Sequence, residues 1–284
     1  MKKLLTALFI SVFLAVGAFS QEQQIVWEKD FKKAQALALE TGRPLLLDFT
    51  ASWCKPCQMM DKEFWVLGDV VSAMKPFIAV KVDFDNDKSV VNRYGIRAIP
   101  FVVFADPLGN MITYRLGFSK KNATELNEIF ALMPTDFSSL KYEYAVIEKD
   151  KEDGKALLKI ADFYRSKSMF TLSNDFYKRA VKSDALKSDA EQVERIASII
   201  AANYYGAEDF KSANKYLGDY LEEYPKGKYR EVMTTMLTVA NARLFKFKDA
   251  EKYLLQLKTE FPSSKNIAFA EDKLNQARLE KNRK

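Results

Sequence analysis

From Leu45 to Cys57 the chain reads Leu-Leu-Leu-Asp-Phe, then a four-residue spacer, then Cys-Lys-Pro-Cys. An apolar run this short reads as a buried strand, and the segment from Lys55 toward Trp65 reads as a helix. Cys54 then stands at a helix N-terminus, where free N–H groups and the helix dipole stabilise a thiolate and lower its pKa. That placement suits an attacking sulfur. Cys57, one turn further in, can close on it as the resolving partner.

Cys54 and Cys57 are the only two cysteines among 284 residues, and the chain has no histidine. Three other uses of the pair fare worse. A structural disulfide across two residues closes a very short loop, stabilises a fold little and is easily reduced. A zinc site needs about four ligands, usually Cys or His, which this chain does not offer. Attachment of a c-type haem needs His after the second Cys, and position 58 is Gln. Redox exchange is the reading that remains, with no cofactor beyond the Cys54–Cys57 disulfide itself and no metal.

The length suggests about two domains once a leader is set aside. Lys2-Lys3, an apolar run from Leu4 to Phe19, and the small residues Ala18 and Ser20 have the order of a secretory leader. Cleavage after Ser20 is the expectation, and retention as a short membrane anchor is the alternative. Export would bring a dithiol to substrates that carry disulfides, and a periplasmic location follows. The formal charge of +6 falls to +4 without Lys2 and Lys3. With no basic stripe interleaved with aromatics, nucleic-acid binding is not expected, nor is membrane attachment after cleavage.

Residues 24–133 alternate strand and helix. Trp27, Phe31, Ala34, Leu37 and Ala38 recur at helical spacing, and Thr41-Gly42-Arg43-Pro44 stops that helix. Strands are expected over Phe77–Val82, Phe101–Ala105 and Met111–Arg115, the last two joined by a turn at Asp106–Asn110. A short helix is expected over Lys88–Tyr94, and Ser119 is placed to cap another running to about Leu132. Such alternation predicts an α/β sheet with helices on both faces.

The pattern W-C-x-P-C after L-L-D-F, with Gly95-Ile96-Arg97-Ala98-Ile99-Pro100 downstream, resembles the thioredoxin superfamily over roughly residues 25–133. The resemblance implies the α/β thioredoxin fold, a mixed central sheet flanked by helices, with the dithiol at one end. It implies a cis Ile99–Pro100 bond beside the dithiol, with Ile99 and Pro100 contacting an extended substrate; a trans proline at a strand start is the plainer alternative. Asp48 matches a buried carboxylate near the resolving cysteine, and Lys81 matches the lysine that approaches it. The implied role is acceptance of the Cys57 proton, against a purely structural ion pair. Trp53 would shield the dithiol, and Gly117 matches a glycine near the substrate path. Lys55 replaces a glycine found in thioredoxin itself, and with Pro56 it borders the dithiol. A cation there favours thiolate modestly. The stretch Gln58–Phe64 followed by Asp69-Val70-Val71 is similar to the thioredoxin-like domains of secreted and membrane-linked reductases, such as the C-terminal domain of the DsbD family. Met59, Met60, Phe64 and Trp65 are read as helix packing.

Beyond Pro134 strand-like runs stop. Asp136–Lys155 reads as linker and first helix. Phe210, Ala213, Tyr216, Leu217, Tyr224 and Pro225 recur 37 positions later as Phe247, Ala250, Tyr253, Leu254, Phe261 and Pro262. Phe170, Ser173, Phe176 and Tyr177 form a weaker copy. A period of this size indicates stacked helical pairs that resemble tetratricopeptide repeats, an all-α helical-repeat region. Its tyrosines, from Tyr204 to Tyr224, are read mainly as packing, and Lys273–Lys284 is expected to fray.

The expected organisation is a signal peptide over 1–20, a thioredoxin-like domain over 21–135 and a helical-repeat domain over 136–284. The expected function is an exported thiol–disulfide oxidoreductase that reduces or relays disulfides of envelope proteins. Its partners would be disulfide-bearing or dithiol proteins, a redox partner, and a protein held by the helical repeats; the plainer alternative is a helical cap that only stabilises or spaces the redox domain. Two alternative functions stay open: a protein-binding adaptor with little turnover, and an oxidative disulfide donor or isomerase.

Overall fold

The computed structural model describes residues 24–283, so the expected leader lies outside the described residues. Asp30 begins the first helix because its carboxylate accepts from the amides of Lys32, at 2.8 Å, and Lys33, at 3.1 Å. The helix, α1 (Phe31–Thr41), ends at Gly42, whose φ of 74° lets its amide turn back to the Ala38 carbonyl. Trp27 therefore does not belong to this helix, contrary to its spacing. It forms a two-residue strand, β1 (Trp27–Glu28), parallel to the edge of the sheet.

The chain continues through β2 (Leu45–Thr50), α2 (Lys55–Glu63), α3 (Gly68–Met74), β3 (Ile78–Asp83) and α4 (Lys88–Arg93). It then forms the hairpin β4 (Phe101–Ala105) and β5 (Met111–Leu116), and α5 (Lys120–Leu132). The five strands lie in the order β1-β3-β2-β4-β5, with β2 parallel to β3 and antiparallel to β4. Strand side chains alternate between faces, and both faces are covered. Leu46, Ala79, Val102 and Phe104 pack with Met60, Phe64 and Phe130 on the side of α2, α3 and α5. Leu45, Leu47, Phe49, Val80 and Val103 pack with Ala34, Ala38 and Val91 on the side of α1 and α4. The sheet is thus a mixed one whose central strands are buried between two helical layers, while the edge strand β5 is largely exposed.

After a 3-10 turn (Ser138–Leu140), the remaining described chain is helical: α6 (Lys141–Lys149), α7 (Gly154–Ser166), α8 (Phe170–Ala180) and α9 (Ala190–Gly206). There follow α10 (Phe210–Glu223), α11 (Arg230–Arg243), α12 (Phe247–Glu260) and α13 (Asn266–Asn282). Phe170, Phe210 and Phe247 each open the second helix of a pair, and the small Ser173, Ala213 and Ala250 three residues on are fully buried. The last helix does not fray at Lys273, because Leu274 and Ala277 are buried against the cluster built on Ala242, Ala250 and Leu257.

Two residues before each of those phenylalanines the backbone turns left-handed, at Ser168, Glu208 and Phe245, with φ of 57°, 56° and 57°. None is glycine, and an L side chain there costs about 1–2 kcal/mol relative to the right-handed region. Glu208 is exposed, so Glu208→Gly should raise unfolding free energy by about 0.5–1 kcal/mol after the larger unfolded-state entropy of glycine is subtracted. A urea titration checks this, and an unchanged or lowered midpoint would contradict it.

The helical part meets the sheet at the end marked by Gly42 and Asp106. The Phe137 amide donates to the Gly42 carbonyl at 2.8 Å. The Tyr164 hydroxyl donates to the fully buried Asp106 carboxylate in the β4–β5 turn, and Tyr144 hydrogen-bonds Tyr164 at 3.2 Å. Leu39, Leu108 and Ile112 pack against the same cluster as Phe137, Tyr144 and Tyr164. Register places these groups away from the dithiol: Leu45 opposes Ala105 at this end, and Phe49 opposes Phe101 at the other.

Candidate active site

Cys54 and Cys57 are joined by a disulfide and almost wholly buried. Cys54 is the N-cap of α2, with its sulfur accepting from the Cys57 amide at 3.3 Å, and Pro56 lies in the first turn. In the dithiol state the same amide and the helix dipole favour a thiolate at position 54. Ala51, Cys54 and Cys57 pack together, with Phe84 and Ile99 against them. The Ile99–Pro100 peptide bond is cis, and Pro100 is buried at the start of β4. The Pro100 carbonyl accepts from the amide of Gly117 at 2.7 Å, and Gly117 has a φ of 80°. Ile99 thus stands beside the disulfide, and the cis bond follows it directly.

Trp53 is 61 % exposed; its indole N–H donates to Asp85 at 2.7 Å, and its ring packs edge-on against Phe84, which itself lies against the cysteines. Lys55 and Pro56 are exposed on the turn between the two sulfurs. Met59 is also largely exposed, unlike Met60, Phe64 and Trp65. The packing role expected of Met59 is therefore corrected: it lies on the outer side of α2.

Asp48 lies on β2 on the same face as Leu46, which packs against Met60 and Phe64 of α2. The face that carries Asp48 is therefore the one covered by the dithiol helix. Lys81, its register partner on β3, brings its ammonium to 2.5 Å from Asp48 Oδ2. Burial pushes the Asp48 carboxyl above its usual range, while the Lys81 charge and hydrogen bond oppose that rise. Two partners were not singled out in the sequence. Trp65 donates its indole N–H to Asp48 Oδ2 at 2.9 Å, and Asp61 pairs with Lys81. A signal for Asp61 existed, since it follows Cys57 by one helical turn and so shares its side of α2.

Chemically, the arrangement offers a reversible dithiol, a buried ionisable carboxylate beside its helix, and exposed surface around Cys54.

The thioredoxin-like family matches residues 26–107. A thioredoxin of Mycoplasmoides gallisepticum is 37 % identical over 91 residues, which covers 32 % of this chain and 85 % of that protein. The thiol:disulfide interchange protein TxlA homolog of Synechocystis sp. is 29 % identical over 146 residues, covering 50 % of this chain and 81 % of its own. Among solved structures, the oxidised form of mitochondrial thioredoxin 3 from Saccharomyces cerevisiae is 25 % identical, with a TM-score of 0.32 and coverage of 38 % of this chain and 95 % of that one. A mixed sheet that delivers an N-capping cysteine to a C-x-x-C helix, with 37 % identity across 85 % of the Mycoplasmoides gallisepticum thioredoxin, places the chain in the thioredoxin-like family as a thiol–disulfide oxidoreductase.

Proposed function

We propose that the chain is an exported oxidoreductase that reduces or relays disulfides of proteins outside the cytosol. The observation that carries this reading is Cys54 as the N-cap of α2, with the buried Asp48, paired to Lys81, on the sheet face under the same helix. In the proposed cycle the Cys54 thiolate attacks a substrate disulfide, forming a mixed disulfide and expelling one substrate thiolate. Cys57 passes its proton to Asp48, attacks the Cys54 sulfur of the mixed disulfide and expels the second substrate sulfur as a thiolate. The substrate gains two electrons, the Cys54–Cys57 disulfide forms, and a dithiol donor protein reduces it again. Ile99, Pro100, Trp53, Lys55 and Pro56 border the path a substrate would take.

The order Lys2-Lys3, apolar run, Ala18 and Ser20 supports export, with the periplasm as destination. Among the described residues no helix is long and apolar enough to cross a membrane. The division into a redox domain over 21–135 and a helical domain over 136–284 follows the change from sheet to helix. The repeated left-handed turn before Phe170, Phe210 and Phe247 supports a tetratricopeptide-like array, whose role is to recruit a client or redox partner.

The test is the equilibrium reduction potential of Cys54–Cys57 against glutathione. A value near the roughly −270 mV of thioredoxin supports reduction or relay. A value near the roughly −120 to −180 mV of DsbA or disulfide isomerase overturns it in favour of oxidation or isomerisation.

A further inference from the structure

The two oxygens of Asp48 have different surroundings. Oδ2 receives both Lys81 Nζ, at 2.5 Å, and Trp65 Nε1, at 2.9 Å. Oδ1 is buried and, among the described residues, has no hydrogen-bond partner. An orphaned buried acceptor is costly to keep, and it is the atom of this carboxylate left open to a proton. Lys81 is itself shared. Its ammonium also pairs with Asp61 and lies 4.4 Å from the centre of the Trp27 ring, which packs edge-on against Trp65 at 5.3 Å. The charged groups acting on Asp48 are Lys81 from β3 and Asp61 from α2. From β4 its register partner is the apolar Val102, and α2 otherwise sets Met60 and Phe64 against this face.

We propose that Trp65 and Asp61 are positioning residues for the resolving step. Trp65 and Lys81 pin Oδ2 so that Oδ1 receives the Cys57 proton, and Asp61 sets how much of the Lys81 charge Asp48 feels. This rests on the reading of Asp48 as the proton acceptor. The two residues act in opposite directions. The indole N–H stabilises the carboxylate, so its loss makes Asp48 ionise at higher pH. The Asp61 charge disfavours the carboxylate and draws on its counter-ion, so its loss makes Asp48 ionise at lower pH.

Stopped-flow oxidation of the reduced protein by 5,5′-dithiobis(2-nitrobenzoate) separates the steps. Cys54 attacks the reagent disulfide, forms a mixed disulfide and releases one thionitrobenzoate in a bimolecular phase. Cys57 then gives up its proton, attacks Cys54 and releases the second in a unimolecular phase, leaving the protein disulfide. The second phase rises with pH as Asp48 ionises. Trp65→Phe should move that rise up, and Asp61→Asn should move it down, each by about half a unit to one unit. Asp61→Glu should return it to the wild-type position. The first phase should stay within about twofold in all of them, since it does not use Asp48.

Shifts in one common direction, or none, while Asp48→Asn still slows the second phase, would overturn the positioning roles alone. A second phase untouched by Asp48→Asn would remove the proton-acceptor reading and this inference with it. Should Trp65→Phe fail to fold, the exposed Asp61→Asn and Asp61→Glu pair decides the matter by itself.

Discussion

Cys57→Ser accumulates a stable mixed disulfide on Cys54, one per molecule, and Cys54→Ser loses disulfide exchange by about a thousandfold or more. The asymmetry follows from position. Cys54 caps α2 and receives the Cys57 amide, so it is the sulfur whose thiolate the helix supports. A serine hydroxyl there is a far weaker nucleophile toward sulfur. Cys57 lies inside the first turn and is as buried as Cys54, so the N-cap position rather than access separates the two sulfurs. In the Cys57→Ser variant the first step still runs, and the second has no thiol to complete it. Mass spectrometry after exposure to a disulfide peptide reads the adduct directly. Turnover retained by Cys57→Ser, or equal adduct formation by Cys54→Ser, would contradict the assignment.

Gly42→Ala carries the largest expected loss of stability, about 2–4 kcal/mol. Two costs add. The backbone there has a φ of 74°, which an L side chain adopts with strain. A Cβ would also stand 2.6 Å from both the N and Cα of Ser138. Those are main-chain atoms, so no rotamer change relieves the overlap. The Phe137 amide bond to the Gly42 carbonyl lies at the same spot, so the loss falls on the junction between sheet and helices. Gly95→Ala is the control: its φ is 63°, and nothing lies within 4 Å of the added carbon. It should show the strain alone, about 1 kcal/mol. Urea unfolding of the two variants side by side makes the comparison, and equal losses would rule out the contact with Ser138.

The strongest local signals are legible because they are short-range. Leu45–Phe49 is apolar but for Asp48 and forms the central strand buried on both faces. The turn at Asp106–Asn110 and the stop at Gly42 carry their own backbone chemistry, and both fall where the residues indicate. The 37-residue recurrence correctly marks the start of the helices at Phe210 and Phe247. Spacing misplaces Trp27 because its strand has two residues and exists only by pairing with Ala79 and Val80, far along the chain. Apolar character alone suggests packing for Trp65, and packing it does provide. Its hydrogen bond to Asp48 depends on the crossing of α2 over β2, which no periodicity encodes. Asp61 stands among surface charges, and its one-turn spacing from Cys57 is the signal that would have marked it. The charged sequence of the last helix hides its anchorage, yet three small or apolar residues, Ala270, Leu274 and Ala277, suffice to hold it.

The attachment of the helices at the Gly42–Asp106 end has a consequence for reach. The strands between that end and Cys54 are five or six residues long, and at about 3.3 Å per residue they hold the two ends roughly 20 Å apart. A flexible tether would let a captured protein sample many distances and would raise the local concentration of any disulfide it carries. A fixed spacer acts as a ruler instead. Under the proposed recruiting role, a client held beside this junction would offer Cys54 the disulfides that lie about a sheet's length from its point of attachment.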